Sequence, residues 1–359
     1  MNVQRDDPNV VATLSEPVGE GSITEDVVAG PEVYSTSLAL TGRASAFVKR
    51  NMIAGLLLIM VLVLLIANPS FRASANIWNI LDQNVTLEMV ACGMLCMMLT
   101  GGFDLSVGAS GAMSAVVAAW VSIHAGIVAG VAGGVGAGLV VGLVNGVCIA
   151  FLNVNPFVTT LGSMTLWYGV LDLVTGGSPV SGTPSGWTAW GLGDTGPIPN
   201  PVFIGAGVIL LTYLLLRHTI HGGHIYAVGS NMAAAARAGV GVRGVLCSVY
   251  TVGGVLAAVA GLITVAQSGV GDPTTGTDWA LTAIAAIVIG GTRLSGGIGG
   301  MRSVVVGTFL ISVLSNALTL YNVSPFWVPI VTGAIVIGAV AIVARSGRSI
   351  GSLVKSRQL

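Results

Sequence analysis

The chain has 359 residues, of which 53% are hydrophobic and 8% are charged, and its formal net charge at pH 7 is zero. Because soluble domains carry about 25% charged residues, this composition excludes an ordinary water-soluble protein. The mean hydropathy of +0.89 indicates that most of the chain lies in lipid. Residues 1–50 hold eleven of the charges, and we expect a solvated, disordered cytoplasmic tail there.

Ten apolar segments follow, each long enough or nearly long enough to cross a bilayer. In chain order they are about 52–67, 85–100, 109–123, 126–152, 157–175, 201–216, 245–266, 279–290, 303–320 and 327–344. Several fall short of about 20 residues, which favours tilted or broken helices, and 279–290 is the weakest. The sequence predicts an all-α polytopic membrane protein with about ten transmembrane helices over 51–345 and a cytoplasmic tail over 346–359.

The basic residues predict the orientation of these spans. If the N-terminus is cytoplasmic and ten spans alternate, twelve Lys and Arg residues from Arg43 onward fall on inner segments and Arg72 alone on an outer one. Cytoplasmic loops carry such an excess, so both termini are expected in the cytoplasm. Six of the seven tryptophans, Trp279 included, fall on the outer side. They indicate an interfacial aromatic belt or a docking face for an external partner.

Glycine recurs at every fourth position from Gly126 to Gly146. This spacing places the glycines in one row on a helix, where they let a neighbouring helix approach closely. No strand precedes the row and the segment is apolar throughout. We therefore expect helix packing here and not a phosphate-binding loop.

One phrase occurs twice between apolar segments. Residues 101–108 read GGFDLSVG and residues 290–297 read GGTRLSGG, at an offset of 189. Shorter echoes keep the same order: Leu143–Gly146 with Leu314–Ala317, and Asn155–Phe157 with Ser324–Phe326. Two related halves, here about 85–175 and 279–344, are a common plan of transporters, with the substrate route at the seam. If one span more or fewer lay between the two copies, they would have opposite orientations in the membrane. The distribution of basic residues favours a parallel arrangement of the two phrases.

Asp104 stands where one apolar span gives way to the next. The glycines before it predict a break, and an Asp at that point can cap the new helix by accepting its free N–H groups. The alternative is a charged hinge, in which Asp104 pairs with Arg293 at the matching position of the second phrase. The other intramembrane acids, Glu88 and Asp172, are either solvated near the outer interface or contacts for a substrate.

The longest inner loop covers residues 217–244. Ser230 or Asn231 can cap a short helix there, alanines favour it and Gly239 can end it. We expect no metal site at its three histidines, which lack carboxylate or cysteine partners, and no cofactor. Neither lysine lies in the Gly-Lys-Ser/Thr context of an ATP-binding loop, and no catalytic set is visible, so we do not expect an enzyme.

These motifs together resemble the permease subunits of bacterial ABC importers of the ribose, xylose and arabinose type. The segments that carry the resemblance are 102–108, 155–162, 177–180, 225–240 and 283–292. It covers about 50–345 and implies a multi-pass protein of the bacterial cytoplasmic (inner) membrane. The resemblance further implies a separate ABC ATPase, an extracytoplasmic sugar-binding protein and a second permease copy, identical or not. The substrate would be a pentose, hexose or related polyol, and no nucleic acid is involved.

The candidate residues fall into three groups. The signature or hinge group is Gly101, Gly102, Asp104, Leu105, Ser106, Gly108, Gly290, Gly291 and Arg293. The group that would couple to the ATPase is Gly229, Asn231, Ala235, Ala236, Arg237 and Gly239. Candidates for the substrate path are Asn145, Asn155, Phe157, Thr159 and Asn316. The alternative function is a stand-alone ion-coupled sugar carrier, with Asp104, Glu88 and Asp172 as coupling sites.

Overall fold

The structure is a computed structural model that describes residues 36–324, 326–327, 329–331, 333–334 and 337. It divides into two compact units, residues 1–47 and 48–359, and of the first only residues 36–47 are described, as helix. Helix α1 begins at Thr36, so the described part of the expected tail is helical. The rest of that tail, and the C-terminal tail, lie outside the described residues.

Over residues 36–320 the chain forms twelve helices and one short hairpin, and the described residues between 327 and 337 are also mostly helical. The helices are α1 Thr36–Ala67, α2 Ser74–Leu99, α3 Val107–Ala125, α4 Ile127–Ala150, α5 Pro156–Thr175, α6 Gly186–Gly191, α7 Asn200–His218, α8 Ile220–Ser230, α9 Met232–Arg237, α10 Val242–Ser268, α11 Trp279–Ile289 and α12 Met301–Leu320. Strands β1 (Asp194–Thr195) and β2 (Ile198–Pro199) pair antiparallel.

Seven described helices are long and apolar enough to cross a membrane, namely α2, α3, α4, α5, α7, α10 and α12. Two shorter apolar helices are Met52–Ala67, within α1, and α11. These nine coincide with the first nine predicted spans, and the tenth, at 327–344, lies largely outside the described residues. The predicted class, an all-α polytopic membrane protein, is confirmed.

Helix α2 lies at the centre of the second unit. Every residue from Glu88 to Leu99 is buried, and the helix packs against α7, α10, α11 and α12. Helices α4, α5 and α7, in contrast, expose most of their apolar length. In a membrane such faces contact lipid or another protein chain.

The glycine row on α4 packs as predicted over most of its length. Gly130 lies against α3 and Gly134 lies between α3 and α10, while three further glycines of the row lie against α10: Gly138, Gly142 and Gly146. A Cβ atom on Gly142 would stand 2.5 Å from the Tyr250 carbonyl oxygen and 3.0 Å from the Gly254 Cα. Gly126 is the exception, because it precedes α4 with a φ of 83° and no atom lies close to it.

Polar side chains join α2 to α12. Asn76 and Asn316 exchange two hydrogen bonds, of 3.1 and 2.8 Å. Two turns along α2, Ser312 donates to Asn84 Oδ1 at 2.6 Å, and Asn84 Nδ2 donates to the Glu88 carboxylate at 2.5 Å. Such bonds hold helices together in lipid. Glu88 is only 6% exposed, so it belongs to this interface and is not solvated at the outer surface.

Candidate functional site

The two copies of the repeated phrase lie side by side. The Gly297 N–H donates to the Leu99 carbonyl oxygen at 2.9 Å, and a Cβ atom on Gly296 would stand 2.8 Å from the Gly101 nitrogen. We call residues 99–106, which begin with the last residue of α2, and residues 290–300 the paired loops, and their side of the unit the inner end. Since α2 and α11 both end at the paired loops, these helices run in the same direction.

The glycines of the phrase serve turns and close approaches. Gly101 and Gly291 have φ values of 87° and 106°, which L-residues with a side chain rarely adopt. Leu105 packs against the main core. Three further glycines meet neighbouring atoms so closely that no Cβ atom would fit: Gly102, Gly108 and Gly290.

Asp104 forms the turn that leads into α3. Its carboxylate accepts hydrogen bonds from the Ser106 N–H and from Ser106 Oγ, both at 2.6 Å. Asn145 of α4 donates to Ser106 Oγ at 2.7 Å and approaches Asp104 at 3.5 Å. Helix α3 starts at Val107, and Ser106 occupies its N-cap position. Asp104 therefore stabilises the preceding turn and does not cap the helix itself.

The alternative pairing with Arg293 does not occur in this structure. Asp104 is fully buried, whereas Arg293 is exposed, with its backbone N–H bonded to the Ile298 carbonyl. Within the described residues no ion pair joins the two side chains. The two copies of the phrase are thus adjacent, but Asp104 and Arg293 do not share an environment.

Asp104→Ala is expected to lower the midpoint of thermal unfolding clearly, because two donors of Ser106 lose their acceptor in a buried site, at about 1–3 kcal/mol. Asp104→Asn keeps an accepting oxygen and should unfold close to the parent chain. Fluorescence-detected chromatography of heated membrane extracts measures both. Loss of transport in a stable Asp104→Asn variant would show instead that the charge acts as a hinge.

Helix α8 docks on both paired loops at once. A Cβ atom on Gly229 would overlap the Leu99 carbonyl oxygen and stand 2.7 Å from the Gly297 nitrogen. One turn earlier, Tyr226 donates its hydroxyl to the Gly299 carbonyl at 3.1 Å. The last turn of α8 is therefore fixed to the end of α2 and to the loop between α11 and α12.

Helix α9 follows directly and has the local structure that the sequence predicts. Asn231 is the N-cap and its side chain accepts from the Ala234 N–H at 2.9 Å. Gly239 follows the helix with a φ of 84°. Ala235 is buried, but Ala236 and Arg237 are exposed. One face of α9 is thus held by the protein, and the rest faces away from it.

Helix α5 begins at the same inner end. Asn155 caps it by accepting from the Phe157 N–H at 2.9 Å, and the Phe157 ring meets Phe103 edge-on at 6.1 Å between centroids. Thr159 Oγ1 is buried without a partner in the described residues. Three of the five candidate path residues therefore lie together, while the two other asparagines make their hydrogen bonds between helices of the protomer.

The chain between α10 and α11 is a feature that sequence reasoning missed. Gly271, at the start of this stretch, pairs with Val180 and lies against Ala115 of α3. Both contacts are on the side of the unit opposite the paired loops. Five residues later, Gly276 lies against Gly108 of α3, seven residues nearer the inner end, or about 10 Å along the helix. We call residues 270–278 the unwound segment. It runs inward beside α3 without forming a helix.

The unwound segment reaches the middle of the membrane-spanning unit. Trp279, which follows it, lies against Gly111 of α3, and a Cβ atom on Gly111 would stand 3.2 Å from the Ala257 carbonyl. Ala257 is close to the middle of the 27-residue helix α10. Helix α11 then has 11 residues, about half of the ~30 Å hydrocarbon thickness. The weakest predicted span is a half-helix, and Trp279 lies inside and not in an outer belt.

Polar groups of the unwound segment are exposed at this depth. Thr277 and Asp278 are exposed, and Tyr168 of α5 donates to the Thr275 carbonyl at 3.1 Å. A carboxylate facing lipid costs about 2.5–3.5 kcal/mol on insertion scales, and non-helical backbone at membrane depth is tolerated only inside protein or beside a water-filled cavity. This face of the segment therefore borders water or another chain.

Known proteins resemble this chain over most of its length. Residues 76–340 match the family described as branched-chain amino acid transport system / permease component. The ribose import permease protein RbsC of Bacillus subtilis (strain 168) is 39% identical over 287 residues, covering 79% of this chain and 89% of that protein. RbsC of Escherichia coli (strain K12) is 36% identical over 294 residues, covering 80% and 91%. The galactose/methyl galactoside import permease protein MglC of the same strain is 33% identical over 316 residues, covering 82% and 94%. No solved structure matches.

A broken helix enclosed by spanning helices defines a multi-pass membrane protein of the transporter class. Within that class, the chain belongs to the permease-component family matched over residues 76–340. The family resemblance inferred from the motifs is confirmed, since the relatives are named as ribose and galactose import permeases.

Proposed function

We propose that this protein is the permease subunit of a bacterial ATP-binding-cassette importer and forms the membrane path for a monosaccharide. The observation that carries the coupling role is the docking of α8 on both paired loops, with α9 exposed beyond it. A motor that pushes α9 would act, through α8, on the end of α2 and on the loop between α11 and α12. The names of the relatives support a pentose or hexose as substrate.

The charge of the inner end supports its assignment to the cytoplasm. Segments 217–244 and 290–302 contain five arginines and no Asp or Glu, as expected for cytoplasmic loops. The partner proposed at the inner end is a separate ATPase subunit. On the other side a sugar-binding protein would deliver the substrate. Both termini would lie in the cytoplasm.

Helix α5 supports a path between two permease copies. It packs on α3 and α4 and leaves most of its length uncovered, including Phe157 at 47% exposed. Ser163 Oγ, one turn from Thr159, also has no partner in the part of the chain that is described. A second copy packed against the uncovered face of α5, which includes Phe157, would enclose a path between the two permeases.

Arg237→Glu is expected to lower ATP-driven uptake about ten-fold or more, because reversing a charge at a protein interface costs several kcal/mol. Membrane insertion should not change, since Arg237 is exposed. Uptake is measured in proteoliposomes that contain the permease and its ATPase. Arg243→Glu, an equally exposed reversal at the start of α10, is the control. Normal uptake by Arg237→Glu, or uptake driven by an ion gradient without ATPase, would favour the stand-alone carrier.

A further inference from the structure

We propose that Thr277 and Asp278 form a sugar-contact site halfway along the translocation path. The proposal rests on the permease function above and goes further, because it assigns the contact to the unwound segment. Neither residue belongs to a motif that the sequence singled out. Their position at the end of a broken helix near the membrane centre corresponds to the place where transporters commonly bind substrates.

The two side chains are free to bind a ligand. Thr274 is not, since it donates its hydroxyl to Asp272 Oδ1 at 2.8 Å and closes a turn within the segment. Tyr168 is also engaged, as its hydroxyl donates to the Thr275 carbonyl. Thr277 and Asp278 are exposed, and no side-chain hydrogen bond or ion pair to either occurs within the described residues.

The charge around Asp278 indicates a neutral polyol. The sequence contains no Lys or Arg between Arg72 and Arg217, nor between Arg243 and Arg293. The spanning helices that border the unwound segment lie within these stretches, except for Arg243 in the first turn of α10, at the opposite end of that helix from the unwound segment. None of their basic side chains is therefore placed to neutralise Asp278. The carboxylate accepts hydrogen bonds from sugar hydroxyls, which are stronger than neutral ones. The same charge repels sugar phosphates and other anions.

Labelling of an introduced cysteine tests whether this site faces water. In Thr277→Cys, a membrane-impermeant thiosulfonate should react about ten-fold faster than in Leu211→Cys, because the reactive thiolate forms only where water reaches the sulfur. Leu211 is 67% exposed in the middle of α7, so it is the lipid-facing control. The unsubstituted chain gives the background of its four cysteines. Equal rates at both positions would overturn the proposal.

Transport kinetics test the contact with sugar. Asp278→Asn in the assembled importer should raise the KM for uptake about ten-fold or more, as expected for a lost charged hydrogen bond, with ATP hydrolysis unchanged. Asp194→Asn, an exposed acid of β1, should behave as the parent. An unchanged KM in Asp278→Asn overturns the sugar contact. If the parent itself shows no ATP-dependent uptake, the proposed function fails, whereas the labelling result still decides whether Thr277 faces water.

Discussion

Gly229→Ala is expected to abolish ATP-driven uptake while the chain still inserts into the membrane. The added Cβ atom would overlap the Leu99 carbonyl oxygen and crowd the Gly297 nitrogen at 2.7 Å. Both are backbone atoms, which cannot rotate away as a flexible side chain can. Overpacking costs about 1–3 kcal/mol in a packed interior, so α8 should lift from the paired loops. A displaced α8 can no longer pass movement of α9 to α2 and to the loop between α11 and α12.

Gly223→Ala is the matched control within the same helix. No atom lies within 4 Å of the position of its Cβ, and alanine favours a helix over glycine by up to about 1 kcal/mol. This variant should therefore transport normally and be slightly more stable. Uptake in proteoliposomes, normalised to inserted protein, compares the two. Normal uptake by Gly229→Ala would show that the docking of α8 is not the coupling contact.

Local chemistry explains which parts of the inner end could be predicted. The N-cap side chain of Asn231, the alanines of α9 and the positive φ of Gly239 all act within a few residues of chain, so the sequence alone indicates a short helix. The docking of that helix could not be predicted in the same way. It depends on Gly229 meeting Leu99 and Gly297, which are distant in the sequence.

The unwound segment shows where sequence reasoning fails. Asp272, Pro273 and Gly276 have the composition of an ordinary outer loop, and polar residues between apolar spans are usually assigned to water. The contact between Gly276 and Gly108 shows instead that the segment descends into the membrane. One signal was available, because the following apolar stretch is too short to cross a bilayer. A short span beside a polar, glycine-containing loop indicates a broken helix.

The sequence suggests that the two copies of the repeat correspond helix for helix, but in the structure they do not. The repeated phrase precedes α3 in the first copy and α12 in the second, and both helices leave the paired loops in the same direction. The echo of Asn145, however, pairs α4 with α12 through Asn316, and α4 runs opposite to α3. One helix, α3, separates the phrase from this echo in the first copy, whereas none does so in the second, where the echo lies on α12 itself. The parallel and the inverted correspondences therefore both occur, for different segments.

Gly138→Val is expected to lower the midpoint of thermal unfolding and the yield of folded protein strongly. A Cβ atom there would overlap the Ala258 Cβ and stand 2.5 Å from the Gly254 carbonyl oxygen, and valine adds two further methyl groups. Helices α4 and α10 share the most extensive contact between any two described helices. Forcing them apart also removes van der Waals contacts at the neighbouring glycines, and in lipid these contacts are the main attraction between helices.

Gly136→Val is the control that separates the packing effect at Gly138 from the effect of introducing a valine into α4. Gly136 lies on the same helix, is exposed, and has no atom within 4 Å of its Cβ position. Both variants carry the same side chain with the same helix propensity, so any difference between their unfolding midpoints in mild detergent measures packing against α10. Equal midpoints would mean that α4 and α10 can separate without cost. The glycine row would then not hold the two helices together, and the position of α10, which carries the chain into the unwound segment, would need another cause.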